Sequence, residues 1–246
     1  MIVKHTEAGW EIIFQAAHAL LAGQIALKLQ VSEQLTYWPE TLAAIIDHDD
    51  LKESFGKNVY LTELGAPKDF TQFSFTADER FTEAKRRIES GHRKHRWIGL
   101  LASRHVDELY GTEPVSKKLS ALVSDERRRR TTVLKKLGIS ARVLEESYRV
   151  VQWCDRASLI LCQDELPAMH RRLEIAELDD NNRYEIWQND NTSLCVEPWP
   201  FRTDGFNVAV ECRTLNRLHF ANDRELETSL LESDVTERCW RFTNIE

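Results

Sequence analysis

The sequence predicts a mainly α protein. A helical body over residues 15 to 176 would carry a small accessory antiparallel β-sheet made from residues 1–14 and 177–246. Three observations predict this. Apolar residues between Gln15 and Cys162 recur at the helical period. After about Asn182 that period gives way to short aromatic and β-branched runs separated by Asn, Asp and Gly. An apolar hairpin at the N-terminus has no other strand to pair with in the first half of the chain.

Each element follows in turn. Ile2 and Val3 precede a turn at Glu7-Ala8-Gly9, and Trp10 to Phe14 return as a strand. From Gln15 to Val31, Leu21, Ile25 and Leu29 share one helical face, and His18 lies on it. Ala22 and Gly23 would let a second helix approach closely. ETLAAIIDHDD reads as a short helix with Thr41 as N-cap and Leu42, Ile45 and Ile46 as its apolar stripe. Leu51 to Thr76 is a long loop, either a functional lid or a surface excursion. Ala77 to Tyr110 is helical again. It opens acidic and turns basic, as the helix dipole favours, and contains His92, His95 and His105. Residues 113–138 form a charged helix whose run Arg127–Arg130 reads as a solvated face, with a phosphate or partner contact as the alternative. Ser140 caps a last long helix through Cys162. RYEIWQ, SLCVEPWPF, FNVAVECRTL and ERCWRFTN are the strands, with a helix near Asp223 to Ser233.

The 246-residue chain is long enough to bury a proper core. A net charge of −7 argues against general nucleic-acid binding. No apolar run approaches the roughly 18 residues of a membrane span, and the N-terminus lacks a signal core. A cytoplasmic protein without membrane partners is expected, with a homodimer left open. Five cysteines, an odd number with no C-x-x-C pair, read as reduced thiols.

Chemistry concentrates at His48-Asp49, an imidazole beside a carboxylate, which suits a borderline divalent cation. Asp155 falls on or beside the apolar face of its helix with Leu144, Tyr148, Val151 and Leu159, where an unpaired carboxylate is costly. Each residue also has an ordinary alternative. His18 could be a satisfied core histidine, His48-Asp49 a helix end, and Asp155 the partner of Arg104 or Arg149. Trp187, Trp199 and Trp240 serve either a contact face or the sheet core. No P-loop, dinucleotide fingerprint or nucleophile elbow is present.

The order His18, His48-Asp49, Asp155, in the local sequences HALLAGQIA, IIDHDD and WCDRASLILC, resembles the HD superfamily of metal-dependent phosphohydrolases. These segments and PWPF at 198–201 are also similar to an uncharacterised bacterial family usually placed near HD proteins. The resemblance implies an HD-type helical bundle in which His18, His48, Asp49 and Asp155 hold one divalent ion (Mn, Fe, Zn, Co or Mg). It implies hydrolysis of a small phosphorylated or nucleotide substrate. Asp49 and His105 are the candidate catalytic residues, and Arg96 and Arg104 the candidate phosphate contacts. Asp50 adds charge beside the dyad. Two other readings stay open: a di-iron oxygenase with His95 and His105 as extra ligands, and a non-catalytic regulator with a vestigial site.

Overall fold

The computed structural model describes residues 1–33, 35–49, 55, 59–112, 116–180, 182–189 and 192–244. Helix α1 (Gln15–Ala26) is the element on which the others are laid. Its buried residues include His18, Ala19, Leu21, Ala22, Gly23 and Ile25, which do not fit one narrow stripe. It packs against α2 (Trp38–Asp47), α6 (Ala141–Cys162) and strand β6 (Gly205–Leu215). Gly23 makes the α2 contact possible, because a Cβ there would lie 2.6 Å from Ile46 Cγ1. The helix ends sooner than its hydrophobic pattern, which runs to Val31. Past Ala26 the backbone bonds elsewhere: Gln30 N–H donates to Pro200 O at 2.9 Å and Arg202 N–H to Lys28 O at 3.0 Å. These tertiary bonds outweigh local propensity.

Helix α2 begins at Trp38, so Thr41 is not its cap. Thr41 is buried one turn in, and its hydroxyl accepts from Trp97 Nε1–H at 2.9 Å. The predicted helix over 77–110 breaks at His95 into α3 (Ala77–Lys94) and α4 (Arg96–Tyr110). Thr76 and Glu79 form a capping box at the start of α3. The two helices meet where Gly91 faces Gly99. Helix α5 (Lys117–Leu137) lies on α4, and Gly138 with φ 68° ends it. The expectation that Arg127–Arg130 is a solvated face holds for Arg127, Arg128 and Arg129, which are exposed, and fails for Arg130. Arg127 Nε–H donates to Asp107 at 2.9 Å, and Arg130, also paired with Asp107, is buried and donates to Ser103 O at 2.9 Å. Arg127 and Arg130 clamp α5 to α4, while Arg128 and Arg129 pair with Asp125 and Glu126 of their own helix.

The remaining strands are β1 (Ile2–Thr6), β2 (Gly9–Ile13), β3 (Leu173–Glu177), β4 (Arg183–Gln188), β5 (Leu194–Glu197) and β7 (Val235–Thr243). Helix α7 (Asp223–Glu232) joins β6 to β7. One seven-stranded sheet runs β1-β2-β6-β7-β5-β4-β3. The N-terminal hairpin joins it through Trp10 opposite Leu215. All neighbours are antiparallel except β5 and β7, which meet in parallel at Leu194 and Phe242. The expected class is therefore corrected. The molecule is about 50% helical with a large mixed sheet curled into a half-barrel, an α/β fold rather than a mainly helical HD bundle with a small antiparallel sheet. The sheet exceeds the expectation for physical reasons. All of β3 but its last residue falls within the residues expected to be the helical body, and the pairings that unite the seven strands join residues up to 205 positions apart, from Trp10 to Leu215.

Helices and sheet share one core. It contains Leu21 and Ile25 of α1, Trp153 and Ile160 of α6, and Ile186, Val208 and Phe242 of the sheet. Each fully buried apolar side chain of this kind contributes about 1.5–3 kcal/mol. Trp199 and Trp240 pack against this core. Trp187 lies 4.1 Å from the Arg172 guanidinium. Gln24 ties α1 to the sheet. Its Nε2–H donates to Ala209 O at 2.8 Å, and its Oε1 accepts from Ala209 N–H at 3.0 Å. Part of the long loop, including Tyr60 and Leu61, packs in a second core with Ile12, Leu215 and Phe220. Asp50 lies outside the described residues. All five cysteines are free, and burial pushes the Cys162 thiol up to about 12. No helix is long and apolar enough to cross a membrane among the described residues.

Candidate metal centre

His18 stands in the first turn of α1, His48 caps the C-terminus of α2, Asp49 follows it, and Asp155 sits midway along α6. The Gly23–Ile46 contact draws α1 and α2 together and so brings the two histidines side by side, their ring planes tilted by 39°. Their ring centroids lie 5.0 Å apart. His18 is fully buried, and Asp49 is 4% exposed.

Both imidazoles are oriented the same way. His48 Nδ1–H donates to Ile45 O at 2.6 Å, and His18 Nδ1–H to Gln15 O at 3.2 Å. A backbone carbonyl three residues back thus takes the Nδ1 proton and leaves Nε2 for the site. The His18 Nε2 atom lies 3.3 Å from Asp155 Oδ1 and 3.6 Å from Asp49 Oδ2. The His48 Nε2 atom lies 2.9 Å from Asp155 Oδ1 and 3.8 Å from Asp49 Oδ2. One ligand atom from each of His18, His48 and Asp49 falls within a sphere of mutual distances under 4.8 Å. Two carboxylates and two imidazoles, each turned by its Nδ1–carbonyl contact so that Nε2 faces the site, fit a borderline dication once His48 has lost its proton.

Electrostatics agree with four mutually dependent groups. Burial alone would lower the His48 pKa, but Asp155 and Asp49 outweigh it and raise it to about 8. Burial works against the Asp155 carboxylate, yet His48 holds its pKa below the usual range. These shifts keep a proton shared between His48 and Asp155 at neutral pH.

A cleft of about 240 Å³ opens beside the cluster, with His48, Arg87, Lys94 and His105 among its walls. His105 Nδ1 lies 3.2 Å from the Tyr148 hydroxyl. Burial, then Arg87 and His48, hold the His105 pKa down to about 3, so the ring is neutral at ordinary pH. Burial pushes Tyr148 up, and its hydroxyl keeps its proton.

The four predicted ligands therefore converge, and His105 faces the adjoining cleft. The predicted phosphate contacts do not. Arg96 is exposed and does not line the cleft. Arg104 Nε–H donates to Glu145 at 2.9 Å and its Nη1–H to Glu108 at 2.8 Å, and the guanidinium lies over the Tyr148 ring. Arg149 pairs with Asp180 and not with Asp155. His95 caps α4 by accepting from Trp97 N–H at 3.2 Å, and Tyr37 lies against its ring. His92 is half-buried, with its ring against Gly99. The residue that sequence reasoning missed is Arg87. Its signal was available: it sits three residues after Ala84 and four before Gly91, beside the buried stripe of α3.

A family model described as "Protein of unknown function (DUF3891)" matches residues 1–217. The chain belongs to the DUF3891 family. No curated protein and no solved structure matches it. The DUF3891 match takes in all four candidate ligands, Arg87, His105 and every element through β6.

Proposed function

We propose that this DUF3891 protein is a metal-dependent phosphohydrolase acting on a phosphomonoester. One observation carries the reading: three helices, distant in sequence, bring two carbonyl-oriented Nε2 atoms and two carboxylates together at the edge of a cleft. His18, His48, Asp49 and Asp155 would hold the ion. A bound dication lowers the pKa of water and polarises a phosphoryl oxygen. Asp49, buried and beside both imidazoles, is the carboxylate suited to accept a proton from the attacking water. Neutral His105, backed by Tyr148, offers a hydrogen bond to a substrate oxygen without adding charge. The order of ligands that resembles the HD superfamily supports the same reading.

Elemental analysis of purified protein should find about one equivalent of Mn, Fe, Zn, Co or Mg. A phosphoester panel should then reveal hydrolysis that Asp49→Ala abolishes. Hydrolysis unchanged in Asp49→Ala would sink this assignment. A stoichiometric metal with no hydrolysis of any phosphoester would favour a structural or regulatory ion instead.

A further inference from the structure

We propose that Arg87 is the anchor for the substrate phosphate, and that the cleft accepts a single phosphate on a small, largely apolar body rather than a nucleotide. This rests on the phosphohydrolase reading and narrows it. Three observations argue for it.

The first is that the donors of Arg87 are not spent. Its side chain is 14% exposed, yet its nearest carboxylate contacts are 3.8 Å from Nη2 to Asp49 Oδ1 and 4.0 Å to Glu83 Oε1. Both exceed hydrogen-bonding distance. Nη1 is buried and has no partner among the described residues. The buried Nη1 thus lacks an acceptor among the described residues, and buried donors in folded proteins are normally satisfied. Other arginines nearby are committed: Arg104 to Glu145 and Glu108, and Arg127 and Arg130 to Asp107. Lys94, the other cation of the cleft, is held by Asp47 at 2.5 Å.

The second is position. Arg87 lines the same cleft as His48 and His105 and stands beside Asp49. An oxyanion bound in the cleft would meet the guanidinium beside the residues proposed to hold the ion. The planar fork of Arg suits two phosphate oxygens at once.

The third is the shape and charge of the cleft. About 240 Å³ is below the range of roughly 300–1,000 Å³ typical of drug-sized ligands. Ala44, Ile98, Leu101, Ala102 and Val151 supply an apolar wall that offers nothing to the polar edge of a base. Glu83 stands at the same cleft, 4.0 Å from Arg87, and Asp47 already holds Lys94, so a further phosphate would meet the Glu83 carboxylate and no uncommitted cation.

The test is calorimetric titration of inorganic phosphate into the full chain, with and without Mn²⁺, with bound metal measured in the same samples. Wild type should bind phosphate. Arg87→Ala should weaken binding at least tenfold with its metal content unchanged, and Arg87→Lys should recover part of the loss. Butyl phosphate should displace phosphate, while AMP should bind at least tenfold more weakly than butyl phosphate. Glu83→Gln, a milder change that leaves Arg87 in place, should strengthen phosphate binding severalfold. Undetectable phosphate binding by wild type, Arg87→Ala binding equal to wild type, or AMP binding as tightly as butyl phosphate would each overturn the proposal, as would a Glu83→Gln variant that binds no better. The two readings separate cleanly. Mn²⁺ binding with phosphate affinity independent of Arg87 removes the anchor and leaves the metal site. Arg87-dependent phosphate binding by a chain that takes up no metal leaves the anchor and removes the hydrolase.

Discussion

Gly23→Ala probes how the fold sets the spacing of the site. The added Cβ would lie 2.6 Å from Ile46 Cγ1 and 3.1 Å from Ile46 Cδ1. In a free helix this change would stabilise by about 0.8–1.0 kcal/mol, because Ala is the better helix former. Overpacking costs about 1–3 kcal/mol. Gln24 pins α1 to Ala209, so the helix cannot simply slide away. Ile46 is only half-buried and can yield in part, which places the cost in the middle of that range. The expected net loss is about 1 kcal/mol, read from urea denaturation with an unchanged slope. The double variant with Ile46→Ala should show a favourable coupling of about 1 kcal/mol or more. Helix α2 carries His48, so Gly23→Ala should also weaken Mn²⁺ binding, and Ile46→Ala should partly restore it. A single variant about 1 kcal/mol more stable than wild type, with unaltered Mn²⁺ affinity, would refute this account of the α1–α2 contact.

Three further outcomes are expected. Gln24→Ala leaves the N–H and C=O of Ala209 without their α1 partner, and thermal or urea unfolding should show a loss of about 1–3 kcal/mol. His48 has a pKa near 8, above its ordinary 6.5. In the metal-free protein its contribution to stability should be complete below about 6.5 and fade as pH rises through 8, as melting temperatures across that range will show. Metal uptake runs the other way. Mn²⁺ must displace that proton, so calorimetry at pH 7 in buffers of different ionisation enthalpy should report about one proton released per ion. Asp107 is a depressed carboxylate: burial raises its pKa, but Arg127 and Arg130 lower it further. Its stabilisation should be present above its unfolded pKa and be lost as pH falls through the folded value. Asp107→Ala should cost about 3–5 kcal/mol by stranding the buried Arg130; a loss under 1 kcal/mol in chemical denaturation would count against the clamp.

The site was more legible than the fold. His18 shares a helical face with Leu21 and Ile25, and Asp155 shares one with Leu144 and Val151, so a polar residue on an apolar stripe announced both. Burial of that stripe carries such residues inward whatever the overall topology. The phosphate contacts were not legible in the same way. Arg96 lies in the basic stretch HRKHR, and Arg104 precedes His105 on α4. Their direction depends on which face of α4 meets α6, and Arg104 turns to Glu145 of α6 instead. Arg87 reaches the site from α3, whose contact with α4 depends on Gly91 and Gly99 meeting.

The sequence by itself determined the elements: an opening hairpin, a helical first two-thirds, strands at the end, and four candidate ligands in order. Hydrophobic period and turn residues are local properties, and a reader of one chain has them in full. Only the tertiary structure decided that seven strands form one mixed sheet, that α1 stops where Pro200 and Arg202 bond its trailing backbone, and that Arg87 rather than Arg96 or Arg104 stands beside Asp49. Those outcomes rest on pairings between residues up to some two hundred positions apart. Each is selected by the burial and hydrogen bonding of both partners together, which neither segment carries alone.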